Sequence, residues 1–134
     1  MSQGRFFARD EVERDALEGF ELGWHSRPQT TAARELVVIE VKLEPGGGHD
    51  FHRHPNQEEV IYVLDGEVEQ WVDRRSRTLR AGDSAFIPAA MVHASFNVSG
   101  VPAKLLAILA PCIGEEGYEL EEVHEQLPWS GLRS

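Results

Sequence analysis

Three histidines and two adjacent glutamates crowd into one stretch, Gly46-Gly-Gly-His49-Asp-Phe-His52-Arg-His54-Pro-Asn-Gln-Glu58-Glu59. Side chains alternate between the faces of an extended strand, so His52 and His54, two positions apart, project from the same one. Neutral imidazole nitrogens with a carboxylate oxygen suit a divalent ion of the Fe, Mn, Co, Ni or Zn class, whereas Ca and Mg favour oxygen alone. A His-x-His pair by itself is weak evidence, because two solvated side chains leave the same pattern.

A second stretch, Gly82 to Asn97, adds His93, and here the spacing becomes specific. The two stretches resemble the paired motifs of the cupin superfamily in its small single-domain form. The first motif is Gly, five residues, His, one residue, His, three or four residues, Glu, six residues, Gly; Gly46, His52, His54, Glu59 and Gly66 fill it. The second is Gly, five residues, Pro, one residue, Gly, two residues, His, three residues, Asn; Gly82, Pro88, His93 and Asn97 fit, and Ala90 stands where the motif has glycine. With Gly at about 7% and Pro at about 5% of average residues, nine matches in ten at fixed spacing are not chance.

The resemblance implies one divalent transition-metal ion per subunit, held by His52, His54, Glu59 and His93, with Glu59 serving also as labile ligand and proton acceptor. Glu58 is the rival carboxylate. The six-residue interval to Gly66 and a parity shared with apolar Ile61 and Val63 both select Glu59. Ala90 is expected in the turn entering the strand of His93, where a positive φ would cost it about 1 kcal/mol or more. His49 lies in the glycine loop and is expected to be solvated or to join the site, while His25 and His124 carry no spacing signal.

Alternation extends the reading to a cavity. Ile61, Val63 and Phe86 are expected to line it, with Gln70, Ser95 and Asn97 as its polar groups; Ser95 and Asn97 share the face of His93. For Asn97 the expected role is to fix barrel backbone by hydrogen bonds. Trp71 and Tyr62 are expected to pack a sheet face or a subunit interface.

The elements that must position these residues are short strands. Leu36 to Leu43 alternates Val37, Ile39, Val41 and Leu43 with polar neighbours, and Val60–Leu64, Val68–Val72, Thr78–Arg80, Ser84–Ile87, His93–Val98 and Ala103–Ala110 continue the series. Turn signals at Asp65-Gly66, Arg74 to Ser76, Gly82-Asp83, Pro88 and Ser99 to Pro102 separate them. The pattern predicts an all-β fold, and the resemblance makes it an antiparallel double-stranded β-helix, or jelly-roll barrel: one domain over 1–134 with a core near 35–111. Asp10 and Glu13 have the form of a helix-capping pair and predict a short helix or turn over 11–18. The acidic stretch after Pro111 reads as an irregular segment anchored by Tyr118 and Leu120.

At 134 residues the chain suits one domain and one site. Thirteen Lys and Arg against 23 Asp and Glu give a net charge of −10, which repels a phosphate backbone and an anionic membrane surface. Cys112 is the sole cysteine, so no internal disulfide forms. The first 30 residues are charged, and the longest apolar run, Leu105 to Gly114, is shorter than the ~20 residues of a membrane span, so a cytoplasmic protein is expected. The resemblance implies a homodimer and a small-molecule ligand. It also implies a choice of functions: a metal-dependent oxidoreductase of dioxygenase type, a metal-assisted isomerase or lyase, or a non-catalytic metabolite- or metal-binding protein.

Overall fold

A computed structural model describes residues 3–133 and divides them among eleven strands: β1 (Glu13–Leu17), β2 (Phe20–Ser26), β3 (Val37–Leu43), β4 (Gly48–Arg53), β5 (Glu58–Asp65), β6 (Glu67–Val72), β7 (Arg75–Arg80), β8 (Ser84–Ile87), β9 (His93–Phe96), β10 (Ala103–Ala110) and β11 (Glu121–Glu122). They form two antiparallel sheets, ordered β1-β2-β3-β10-β5-β8 and β11-β4-β9-β6-β7. Among the described residues no helix is long and apolar enough to cross a membrane.

Strict alternation builds the core. Val37, Ile39, Val41 and Leu43 of β3 are buried, as are Ala103, Leu105, Ala107 and Leu109 of β10, and the two rows meet in register, with Val41 beside Leu105 and Ile39 beside Ala107. Burying an aliphatic side chain of Val or Leu size stabilises by about 1.5–3 kcal/mol, so these rows supply the main apolar core that closes the barrel. A smaller cluster of Phe51, Ala94 and Val123 lies on the outer side of the five-stranded sheet, where Trp129 of the C-terminal segment covers Phe51 with ring centroids 5.7 Å apart.

Of the short helix or turn expected over 11–18, the helix does not form. Glu13, Arg14, Ala16 and Leu17 suit a helix locally, but tertiary pairing overrides that preference. Residues Glu13 to Leu17 pair with Trp24 to Phe20 in a hairpin turned by Gly19 at φ +86°. Trp24 Nε1 donates to Asp15 Oδ2 at 2.9 Å, and Arg27 donates to Glu13 at 2.7 Å, which fastens the open half of the hairpin, away from its turn. A 3₁₀ turn does occur, but at Arg9–Glu11, where Glu11 Oε1 accepts from the Ala8 amide. The sheet also begins before residue 35, because β2 pairs along β3 from Phe20 beside Leu43. The turn expected over Arg74–Ser76 lies one residue earlier, around Asp73 at φ +55°, and β7 starts at Arg75.

Candidate metal centre

His52 and His93 face each other directly across the β4–β9 pairing, and His54 follows β4 by one residue. Glu59 comes from the opposite sheet, on β5 between Leu109 of β10 and Ile87 of β8. The centre therefore bridges the two sheets. All four side chains are buried, at 1–5% exposure. The three imidazoles offer nitrogens within 4.8 Å of one another. Glu59 Oε1 lies 3.2 Å from His54 Nε2 and 2.9 Å from His93 Nε2, whereas Glu58 is exposed.

The other ring nitrogens settle which ones are free. His52 Nδ1 is 2.6 Å from the Asp50 carbonyl, His54 Nδ1 2.8 Å from that of Glu119 and His93 Nδ1 3.0 Å from that of Met91. A carbonyl oxygen only accepts, so each Nδ1 carries the proton, and in the neutral ring each Nε2 then presents a lone pair inward. This outer hydrogen bond is the usual means of fixing tautomer and ring orientation in a metal-ligating histidine. Two of the inward atoms, Glu59 Oε1 and His93 Nε2, are buried without a hydrogen-bond partner although they approach each other. Two acceptors this close repel unless a cation, or an added proton, lies between them. The donor set, three imidazoles and one carboxylate, fits a divalent transition metal.

Local electrostatics agree. Burial, and then the neighbouring imidazoles of His49, His93 and His54, holds the His52 pKa well below its ordinary value, keeping that ring neutral. Burial would also depress His54, but the Glu59 carboxylate and the Glu119 carbonyl outweigh it and raise its pKa. Burial would push Glu59 up, yet the contacts from His54 and His93 bring its pKa down to about 2. The carboxylate is thus ionised at neutral pH, as a ligand must be.

The four residues stand at the polar end of a cavity of about 200 Å³ whose walls are mostly apolar. Ile61 and Ser95 line it as expected from alternation. Gln70 is buried but sits behind Ser95, accepting its hydroxyl at 2.6 Å, and does not reach the cavity. Asn97 is also off the cavity: its amide donates to the Leu43 and Val101 carbonyls and its oxygen accepts from Ser99, the backbone-fixing role. Phe86 is a correction. It is 55% exposed, because on β8 Ala85 and Ile87 take the inward parity and Phe86 the outward one.

Sequence reasoning passed over several lining residues. Leu17 and Phe20 arrive from the N-terminal hairpin, and Tyr118, Leu120 and Glu122 from the C-terminal segment. That segment is strapped down by buried Gln57, whose amide donates to the Pro111 and Gly117 carbonyls and accepts from Glu119 N. No spacing rule reaches across 60 residues, so only the fold reveals these contacts. His49 also lines the cavity, with Nε2 3.0 Å from Glu122 Oε1. Among the other sequence features, Ala90 adopts φ +69°.

A family model described as Cupin domain matches residues 39–109. Among curated proteins, the chain is 31% identical over 101 residues to polyketide synthase CurC of Streptomyces cyaneus, covering 75% of this chain and 66% of that protein. It is 36% identical over 83 residues to oxalate decarboxylase OxdC of Bacillus subtilis, covering 58% of this chain but only 20% of OxdC. Among solved structures, KdgF from Halomonas sp. superposes with a TM-score of 0.74 over 84% of this chain and 97% of that one, at 20% identity, a likeness of fold.

Proposed function

The chain belongs to the cupin domain family, and from that premise we propose that it is a metal-dependent oxidoreductase of dioxygenase type acting on a small organic molecule. The observation that carries this reading is the convergence of three Nε2 lone pairs and the Glu59 carboxylate at the floor of an apolar cavity. His52, His54, Glu59 and His93 would hold a transition metal at this end of the cavity, where it would supply Lewis acidity and, if redox-active, access to O₂.

The chain's own residues do the remainder. The backbone carbonyls of Asp50, Glu119 and Met91 hold the imidazoles in one tautomer. Glu59, ionised and standing between His54 and His93 at the end of the cavity, is placed to accept a proton from an incoming hydroxyl. The aliphatic walls exclude water, which strengthens each of these interactions.

Elemental analysis of the purified protein should find about one iron or manganese per chain, and an oxygen electrode should record O₂ uptake with hydroxylated substrates. Turnover without O₂ uptake would replace this reading with a metal-assisted isomerase or lyase. Tight binding with no turnover at all would leave a non-catalytic metabolite-binding protein.

A further inference from the structure

The walls of the cavity restrict what it accepts more narrowly than the metal-ligand set does. Ile39, Val41, Leu43, Ile61, Leu105 and Leu109 line its length. Polar groups gather at one end, where Ser95 and His49 adjoin the four ligands, and Glu122 stands with His49. Among the described residues no lysine or arginine lines it, and its ionised acids are Glu59 and Glu122.

Resting on the reading that His52, His54, Glu59 and His93 hold a divalent ion, we propose that the cavity takes one uncharged, ring-sized apolar molecule. Its hydroxyl-bearing edge faces the metal end, and small dicarboxylates and phosphosugars are turned away.

Volume sets the size. A cavity of about 150 Å³ lined by Leu, Ile and Phe stays dry and binds benzene. The cavity here, at about 200 Å³, admits one ring with a substituent or two and little more.

Charge sets the class. A divalent ion with the Glu59 carboxylate leaves one net positive charge, enough to balance a single oxygen that loses its proton on binding. A dianion brings a second negative charge into aliphatic walls with no guanidinium or ammonium to meet it, and burying an unpaired charge is strongly unfavourable. Glu122 at the same end adds repulsion. Oxalate decarboxylase is named for a dicarboxylate, so the proposal separates this chain from that relative by substrate.

The N-terminal hairpin and the C-terminal strap both border the cavity, through Leu17 and Phe20 and through Tyr118, Leu120 and Glu122. Leu17 lines the cavity and is 51% exposed, which places it at the mouth and makes it replaceable without disturbing the core.

Titration calorimetry of the metal-loaded protein with catechol and with oxalate tests the proposal, alongside thermal melts of the metal-stripped protein with phenol and with oxalate. Catechol should bind at least 100-fold more tightly than oxalate, and phenol but not oxalate should raise the melting temperature of the stripped protein. Leu17→Arg, which sets a cation at the mouth, should narrow the catechol-to-oxalate ratio at least tenfold. Oxalate binding as tightly as catechol, phenol failing to stabilise the stripped protein, or a ratio unmoved by Leu17→Arg would overturn it. Failure of the oxidoreductase reading has a different signature, absent O₂ uptake with the binding order unchanged.

Discussion

The ring of His49 lies flat on that of His52, centroids 3.6 Å apart and planes 10° apart, although the two are three positions apart on one strand. Strict alternation would put them on opposite faces. The β4–β9 pairing explains the exception: His49 sits opposite Ser95 and His52 opposite His93, so three steps on β4 match two on β9. The extra residue is a β-bulge, a device that re-aims side chains beside functional sites. Gly48 permits the close approach, since a Cβ there would come within 2.5 Å of the Ser95 carbonyl. With Phe20 stacked on its other side at 5.2 Å, His49 holds the His52 ring in place.

His49→Ala should therefore weaken metal affinity by roughly 10-fold, the low end of what losing an orienting contact costs, and leave the far-ultraviolet circular dichroism unchanged. His49→Phe should restore most of the loss, because a flat ring rather than a charge does the positioning. Chelator competition measures both. Wild-type affinity in His49→Ala would show the stack to be incidental.

Removing a ligand itself should act more strongly. His54→Ala takes away one Nε2 and leaves Glu59 with a single imidazole, so tight metal retention should be lost, by well over 100-fold. The aliphatic rows of β3 and β10 do not touch this change, and the barrel should stay folded. Metal analysis after dialysis and circular dichroism check the two halves separately; an unfolded variant would mean that the scaffold depends on the ion, as a zinc finger does.

How much of this was legible in the sequence follows from the range of each signal. Local periodicity carries β3, β8 and β10, whose bounds alternation marks nearly to the residue, and the His52, His54, Glu59 and His93 set lies within two short motifs. Signals fail where a distant segment decides. Glu13–Leu17 reads as a helix until Phe20–Ser26 pairs with it. His49 reads as a loop residue until the bulge turns it inward. Phe86 fails for a different reason: β8 is only four residues long, too short for alternation to fix which parity faces inward, and it is Ile87 that is buried while Phe86 points out.

The corrected position of Phe86 supports an assembly prediction. Phe86 and Val60 are cross-strand neighbours, and Tyr62 and Leu64 continue the same outer face, leaving exposed aromatic and aliphatic groups near the β8 edge of the sheet. Exposed apolar patches and free sheet edges are commonly covered by association. We propose that a second copy covers this face. Light scattering at micromolar concentration should give a dimer, and Phe86→Glu should give a monomer; a monomeric wild type would refute it.

The C-terminal segment offers a pH readout away from the metal. Burial would raise the Glu69 pKa, but hydrogen bonds from Arg133 and Trp71, each at 2.7 Å, bring it below its ordinary value. A carboxylate whose folded pKa is depressed contributes stability above its unfolded pKa and loses it as pH falls through the folded one. The destabilisation caused by Arg133→Ala should thus be larger at pH 7 than at pH 3. Arg133 also stacks on Phe96 at 3.6 Å, a contact that does not titrate over this range, so part of the loss should persist in acid. Equal losses at the two pH values, read from melting temperatures, would assign the whole effect to stacking.

Ala90 supplies the last prediction. Its φ of +69° lies in the left-handed region, where a Cβ costs roughly 1–2 kcal/mol relative to glycine. The turn holds that conformation because the Ala90 amide donates to the His54 carbonyl at 3.0 Å, while Met91 N reaches back to Pro88 at 3.2 Å. The turn thereby ties the chain before His93 to the backbone of a second ligand. Ala90→Gly should relieve the strain and keep the hydrogen bond, offset by the roughly 0.4–1 kcal/mol that glycine's freedom adds to the unfolded chain. The net gain of about 0.5–1 kcal/mol corresponds, for a domain of this size, to a rise in melting temperature of roughly 2–4 °C. Metal content should not change, since no ligand moves. A fall in melting temperature would show that the turn holds Ala90 without strain.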